Sequence, residues 1–302
     1  MLNFTKHYKF WFAFSGLLLV IAVVSLAVYG LKFGIDFKGG TLSELSFNKG
    51  LPSNTDISAV MRDNGSPEAV IQPTQGNDVI IRTGPQDKAQ HDKIMKALNE
   101  KFGDITEQQF TSIGPVIGKE LRNKAIWQLL LVSLGIVLYI AYAFRKVAKP
   151  VSSWKFGWAA VVALLHDLMI VIGVFSLLSH FKGVEVDSLF VTALLTVLGF
   201  SVHDTIVVFD RIRENLRLRA GQDLPEIINS SINQTLIRSI NTSLTVVFVL
   251  TALLLFGGET IRYFVLALLV GIVAGTYSSI FIASPLLMVW HRFTMKRKGA
   301  RA

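Results

Sequence analysis

Six stretches of roughly twenty mainly apolar residues most constrain this chain. They lie at 10–29, 125–144, 156–178, 189–209, 234–256 and 261–289. Each is long enough to cross the hydrocarbon layer of a bilayer as a helix. The stretch at 234–256 is polar in its first third, and Pro285 can bend the last one. The chain is 51% hydrophobic and only 17% charged, where a soluble domain is nearer a quarter charged. The fold class read from this is an α-helical integral membrane bundle of six spans. The stretch at 10–29 exceeds the 7–15 residues usual for the apolar core of a signal peptide, so it reads as an uncleaved anchor.

In a soluble protein a net charge of +9 is the electrostatic footprint of a nucleic-acid partner. Here the basic residues sit beside apolar runs, where topology signals belong, and no nucleic acid is expected. Lys6, Lys9, Arg145, Lys146, Lys149, Lys155, Arg211, Arg213, Arg217, Arg219 and the tail residues Arg292, Lys296, Arg297, Lys298 and Arg301 flank one side. The short loops of the other side carry Lys182 and Arg262. Both termini are therefore expected in the cytoplasm, and 32–124 outside. All five tryptophans (Trp11, Trp127, Trp154, Trp158 and Trp290) fall near a span edge, where amphipathic rings belong.

Segment 32–124 reads as an external α+β domain. "TLSELSF" alternates as a strand, "SNTDISAVMRDNG" starts with capping residues and stops at a glycine, and "EAVIQ" and "DVIIRT" flank a turn. "QDKAQHDKIMKALNEKFG" has helical periodicity and "ITEQQFTSI" is a last strand. The order βαββαβ is ferredoxin-like. His91 is expected on the helix surface. Before this domain, "GIDFKGGT" carries Asp36, Gly39 and Gly40, which read either as a membrane-exit turn or as a hinge.

Ionisable residues at membrane depth cost about 2.5–3.5 kcal/mol and mark sites. Asp204 lies about 10 Å inside the fourth span, and Thr192, Thr196, Gly199 and His203 form a stripe beside it. On the fifth span Gln234, Arg238, Asn241, Thr242 and Thr245 recur at helical spacing. Arg238 reaches a similar depth and is the expected partner of Asp204. The pair reads as a static register lock or as a proton relay in which Asp204 carries the proton, with headgroup snorkelling of Arg238 as a third reading. His166 and Asp167 sit mid-way along the third span and are expected, with His203, Asn241 and Thr242, to support the site. Adjacent residues diverge by about 100° on a helix, so the two His-Asp pairs make a poor metal site. Residues 222–236 read as an amphipathic helix on the cytoplasmic surface. Ala267, Gly271, Gly275 and Ser279, four apart, permit close helix packing against an unidentified neighbour.

The chain has no cysteine, which excludes disulfides, thiolate catalysis and cysteine-bound metal. It also lacks nucleotide-binding, G-x-S-x-G and zincin motifs. No enzyme activity and no cofactor other than coupling protons are expected.

"GIDFKGGT" after the first span, an α+β domain, "HDTIVVFDRIRE" ending the fourth span and "LIRSINTS" entering the fifth occur in this order. With these the chain resembles the SecF family of bacterial protein-export subunits, within the resistance-nodulation-division superfamily. The resemblance covers nearly the whole chain. It implies a six-span half that pairs with SecD, and a site at Asp204 and Arg238 that SecD completes. It also implies proton-driven help to unfolded preproteins leaving the SecYEG channel on the outer face, with SecA and YajC as further contacts. The expected divisions are 1–31 for the first span, 32–124 for the outer domain, 125–291 for the remaining spans and 292–302 for a basic tail. A proton-antiporter half and a purely structural assembly factor are the competing readings.

Overall fold

The computed structural model describes residues 3–74, 76–145, 153–219 and 221–299. Lys146, Lys149, Arg301 and the end of the 292–302 tail, used above, lie outside the described residues. The elements in order are α1 (Tyr8–Tyr29), β1 (Lys32–Phe33), α2 (Ile35–Lys38), β2 (Gly40–Phe47), α3 (Asn54–Asp63), β3 (Val70–Pro73), β4 (Asp78–Thr83), α4 (Lys88–Phe102) and β5 (Ile105–Ile113). Then come α5 (Pro115–Ala143), α6 (Ser153–Lys182), β6 (Glu185–Val186), α7 (Ser188–Leu218), α8 (Leu224–Phe256), α9 (Glu259–Ser278) and α10 (Ser284–Gly299). A π-helical turn, Ser279–Ala283, separates the last two. Among the described residues six helical stretches are long and apolar enough to span a membrane, as the apolar runs require.

The chain divides into two units, 33–127 with 185–188, and the remainder. In the first, β2, α3, β3, β4, α4 and β5 give the expected βαββαβ order. Their sheet runs β3-β4-β2-β5 with every neighbour antiparallel, which is the ferredoxin-like arrangement. Local chemistry sets the boundaries. Ser53 accepts the Asp56 N–H at 3.2 Å and Asp87 accepts the Gln90 N–H at 2.8 Å, capping α3 and α4. Gly103 then ends α4 at φ +80°. Leu45, Phe47, Val79 and Ile81 from the sheet pack on Ile57, Val60, Met61, Ile94 and Leu98 from the two helices. His91 departs from expectation. It is buried, with Nε2 3.2 Å from Glu107 Oε2 and its ring 4.0 Å from that of Phe110, because it lies on the flank of α4 that meets β5.

The "GIDFKGGT" segment is a packed turn. Gly34 N–H bonds Val186 O at 2.8 Å and α2 makes one helical turn. Gly39 and Gly40 follow at φ +80° and +144°. A Cβ on Gly39 would lie 2.8 Å from Pro115 Cα, and one on Gly40 2.7 Å from Thr83 O. Both glycines are thus fixed by conformation and by close backbone approach. Asp36 Oδ2 accepts the Ser188 N–H at 2.8 Å and also the Ser188 hydroxyl, capping α7 at its first residue. These contacts make the segment a packed turn built from backbone.

In the membrane unit, α8 corrects the reading of 222–236. No separate surface helix exists there, because α8 runs unbroken from Leu224 to Phe256. Leu224, Ile227, Ile228 and Ile232 are buried with Phe144, Phe156, Phe209, Ile212 and Leu216. An apolar stripe at helical spacing suits a bundle interior as well as a bilayer surface, and here it packs in the bundle. Buried Asn215 ties α7 to α8, donating to Ser231 Oγ at 2.8 Å and Gln234 Oε1 at 2.9 Å. The π turn ends two residues before Pro285, the residue expected to bend this span. Proline has no N–H for the carbonyl four residues back and clashes with it, and wider i→i+5 bonding just before it relieves the conflict.

Ile57 is fully buried in the outer unit, whereas Val116 is 82% exposed. Ile57→Ala should cost about 2–5 kcal/mol and Val116→Ala should stay within about 0.5 kcal/mol. Pulse proteolysis of the full chain, followed at cleavage sites in 33–127, measures both.

Candidate functional site: two buried carboxyls in the helix bundle

Glycine lets α7 and α9 approach closely. A Cβ on Gly271 would lie 2.2 Å from Val197 Cγ2, and one on Gly275 2.9 Å from Ser201 Cβ. The small-residue stripe of the last span thus packs against α7 of the same chain. A similar approach joins α1 and α6, where a Cβ on Gly173 would lie 2.3 Å from that of Ala22.

This contact places two carboxyls against hydroxyls of α9. Asp204 on α7 is 2% exposed. Its Oδ2 accepts from Thr276 Oγ1 at 3.2 Å and from Ser243 Oγ of α8 at 3.3 Å, and these hydroxyls are 2.6 Å apart. Asp167 on α6 is 1% exposed. Its Oδ2 accepts from Ser201 Oγ at 2.5 Å and Ser278 Oγ at 2.8 Å, and its Oδ1 lies 2.9 Å from His166 Nδ1. The other ring nitrogen of buried His166 has no partner among the described residues. Between the two hydroxyl residues, Tyr277 pairs with Ser15 at 2.9 Å and donates to Trp11 O at 3.3 Å, joining α9 to α1. Two residues apart on α9, Thr276 and Ser278 therefore each hold a different carboxyl.

The expected Asp204–Arg238 pair is not formed within the chain. Arg238 is exposed and makes no ion pair among the described residues. The cause is helical phase. Ser243 points α8 at Asp204, and Arg238, five residues earlier, is rotated by about 140°. The inward face of α8 is Ser231, Thr235, Ser239 and Ser243, all buried. Asn241, Thr242 and Thr245 lie on the exposed side with Arg238, and Thr242 Oγ1 bonds the Arg238 carbonyl at 3.0 Å. His203 is exposed too, as are Thr192, Thr196 and Gly199. Of the supporting residues expected from sequence, the bundle buries His166 and Asp167 and leaves His203, Asn241 and Thr242 outside. Ser201, Ser243, Thr276 and Ser278 were missed. Thr276 and Ser278 have one signal, "AGTYSS" beside the glycine stripe; Ser201 and Ser243 have none, since serine and threonine in spans commonly bond their own backbone. Hydroxyls supply dipoles and no charge, and Asp204 forms no ion pair among the described residues. Among the described residues no group of three or more His, Cys, Asp or Glu could hold a metal.

The family model for the C-terminal part of the protein export membrane proteins SecD and SecF matches residues 93–293, and that for the SecD/SecF GG motif matches 24–50. The protein translocase subunit SecF of Thermobaculum terrenum is 45% identical, over 96% of this chain and 94% of that protein. The protein translocase subunit SecDF of Bacillus subtilis is 33% identical over 99% of this chain, which covers 39% of that longer protein. The crystal structure of SecDF from Thermus thermophilus, described as translocon-associated, matches with TM-score 0.83 and 36% identity. That match covers 96% of this chain and 38% of the SecDF chain.

Gly271→Ala should cost about 1–3 kcal/mol through overpacking against Val197. Val197→Ala in the same chain should restore part of it, giving a coupling of about 0.5–3 kcal/mol. Thermal unfolding in mild detergent of the two single variants and the double variant measures the cycle. Additive losses would show that this contact does not set the α7–α9 distance.

Proposed function

The chain belongs to the SecD/SecF family of protein export membrane proteins, and from that membership we propose that it acts as the SecF-type subunit of a proton-driven protein translocase. Asp204 is the proton-carrying group. The observation behind this is a carboxyl buried where three helices meet, held by hydroxyls and in no ion pair among the described residues. Protonation changes the charge of that node by one unit in a low-dielectric interior, where the change is felt strongly. One charge crossing 100 mV supplies about 2.3 kcal/mol, enough to bias a two-state element roughly fiftyfold.

The partner is the SecD half. Arg238, Asn241, Thr242 and Thr245 on α8, with Thr192, Thr196, Gly199 and His203 on α7, give two adjoining helices polar outward stripes at membrane depth. Arginine facing lipid there is costly, and a carboxylate from a second bundle packed on this face relieves the cost. Arg238 is then the counter-ion of a partner carboxylate. α7 is one helix from Ser188, which Asp36 caps, to beyond Asp204. The preprotein is met on the outer face as it leaves SecYEG, with SecA and YajC as further contacts of the assembly.

Asp204→Asn keeps shape and removes titration. Translocation into inverted vesicles should lose its response to an imposed proton gradient, while co-purification of the variant with SecD stays at the parental level. If the variant responds to the gradient as the parent does, Asp204 is only a structural hydrogen-bond acceptor.

The orientation has its own test, helped by the absence of native cysteine. Asn77→Cys should react with a membrane-impermeant maleimide in spheroplasts. Gln222→Cys should react only after permeabilisation. The reverse pattern would place the outer domain in the cytoplasm.

A further inference from the structure

Four span ends meet at one end of the membrane unit. α1 begins two residues after Lys6, Arg219 follows the last residue of α7, Glu226 lies two residues into α8, and Arg292 lies two residues before the last apolar span ends at Thr294. These residues line an open polar recess of about 500 Å³. Its walls are tied together. The Phe4 N–H bonds Asn229 Oδ1 at 2.8 Å, and Arg219 Nη1 bonds Ser230 Oγ at 3.0 Å. Three cations, Lys6, Arg219 and Arg292, face the recess with one carboxylate, Glu226. None of the three cations forms an ion pair among the described residues.

We propose that this recess binds the phosphodiester headgroup of an anionic glycerophospholipid. Its level favours a lipid over a soluble ligand. Trp11 and Trp290 lie within a few residues of the same span ends, and tryptophan marks the headgroup layer. Its chemistry favours a phosphodiester. Guanidinium groups present planar forks of donors matched to phosphate oxygens, and Arg219 uses one of its five N–H donors on Ser230. The excess of two positive charges favours a headgroup with net negative charge over a zwitterion, whose own cation would meet Lys6 and the arginines. The site stands on the bundle alone and holds whichever leaflet this end meets, so it is independent of the proton mechanism.

The test uses the full chain in a neutral detergent. Native mass spectrometry follows binding of dioleoylphosphatidylglycerol, dioleoylphosphatidylcholine and inorganic phosphate. The parent should bind phosphatidylglycerol in preference to phosphatidylcholine. Combined Arg219→Gln and Arg292→Gln should weaken phosphatidylglycerol about thirtyfold. Combined Arg219→Lys and Arg292→Lys, which keeps the charge and controls for folding, should keep the preference for phosphatidylglycerol over phosphatidylcholine while binding it more weakly than the parent, since the planar forks are lost. Arg262→Gln, at the opposite end of the last span, should leave binding unchanged. Equal binding of both lipids, saturation by inorganic phosphate at the same concentration, or parental binding by the Gln double variant would each overturn the assignment.

Discussion

The close approach of α7 and α9 is the constraint from which the membrane site follows. Two buried carboxyls are tolerable in a bilayer only if each is held by polar groups inside protein. In this chain the holders are hydroxyls on α9, and they reach because Gly271 and Gly275 leave room for Val197 and Ser201. A helix separation larger by one methyl group would lengthen contacts that already stand at 3.2 Å and 3.3 Å for Asp204. Packing and polarity are thus one design. Small residues set the distance, and the residues that follow them on the same helix make the hydrogen bonds.

How much of this was legible in the sequence depended on what kind of order each element has. The outer domain was read almost element by element, since Ser53, Asp87, Gly65 and Gly103 mark helix ends by local chemistry and period-two alternation marks strands. The burial of His91 depends on where β5 lies, and no local pattern encodes that; nor does any local pattern bring residues 185–188 into the same unit. The spans were legible from length alone, and the glycine stripe announced a close contact without naming its partner. The polar stripes of α7 and α8 were read the wrong way round. A polar face in a span was taken to point into the bundle of the same chain, but a chain that forms half of a larger assembly can present that face to its neighbour. Arg238 and Ser243 differ by five residues, and only the structure tells which of the two phases turns inward. Residues 222–236 failed for a related reason, because a helical apolar stripe looks the same on a membrane surface as at the foot of a long span.

The inward and outward faces of α8 have separate tasks. The inward one is serine and threonine at every fourth residue, all neutral: Ser231 Oγ bonds Ile227 O at 2.7 Å, Thr235 Oγ1 bonds Ser231 O at 3.0 Å and Ser243 Oγ reaches Asp204, while buried Ser239 Oγ has no partner among the described residues. Such residues let α8 sit close to its neighbours while bringing little charge into the core. The outward face carries Arg238. A single arginine at membrane depth costs about 2.5–3.5 kcal/mol on insertion scales, a large share of the stability of a typical domain. The isolated bundle is thus biased towards association by the face it leaves uncovered.

The π turn adds the last step. It begins at Ser279, directly after Ser278 and three residues after Thr276, so the two residues that hold the carboxyls sit on the last turn of α9 before the helix changes its hydrogen-bond pattern. Ser284 Oγ bonds Ser279 O at 2.9 Å across this turn. A helix interrupted in this way has a neighbouring register available at lower cost than a continuous one, since one peptide group already lies outside the i→i+4 ladder. A change in charge at Asp204 acts on Thr276 directly. Ser278, on the same turn, is held by Asp167. The two carboxyls therefore pull on one short segment from two sides, and the segment is the part of α9 least committed to a single register.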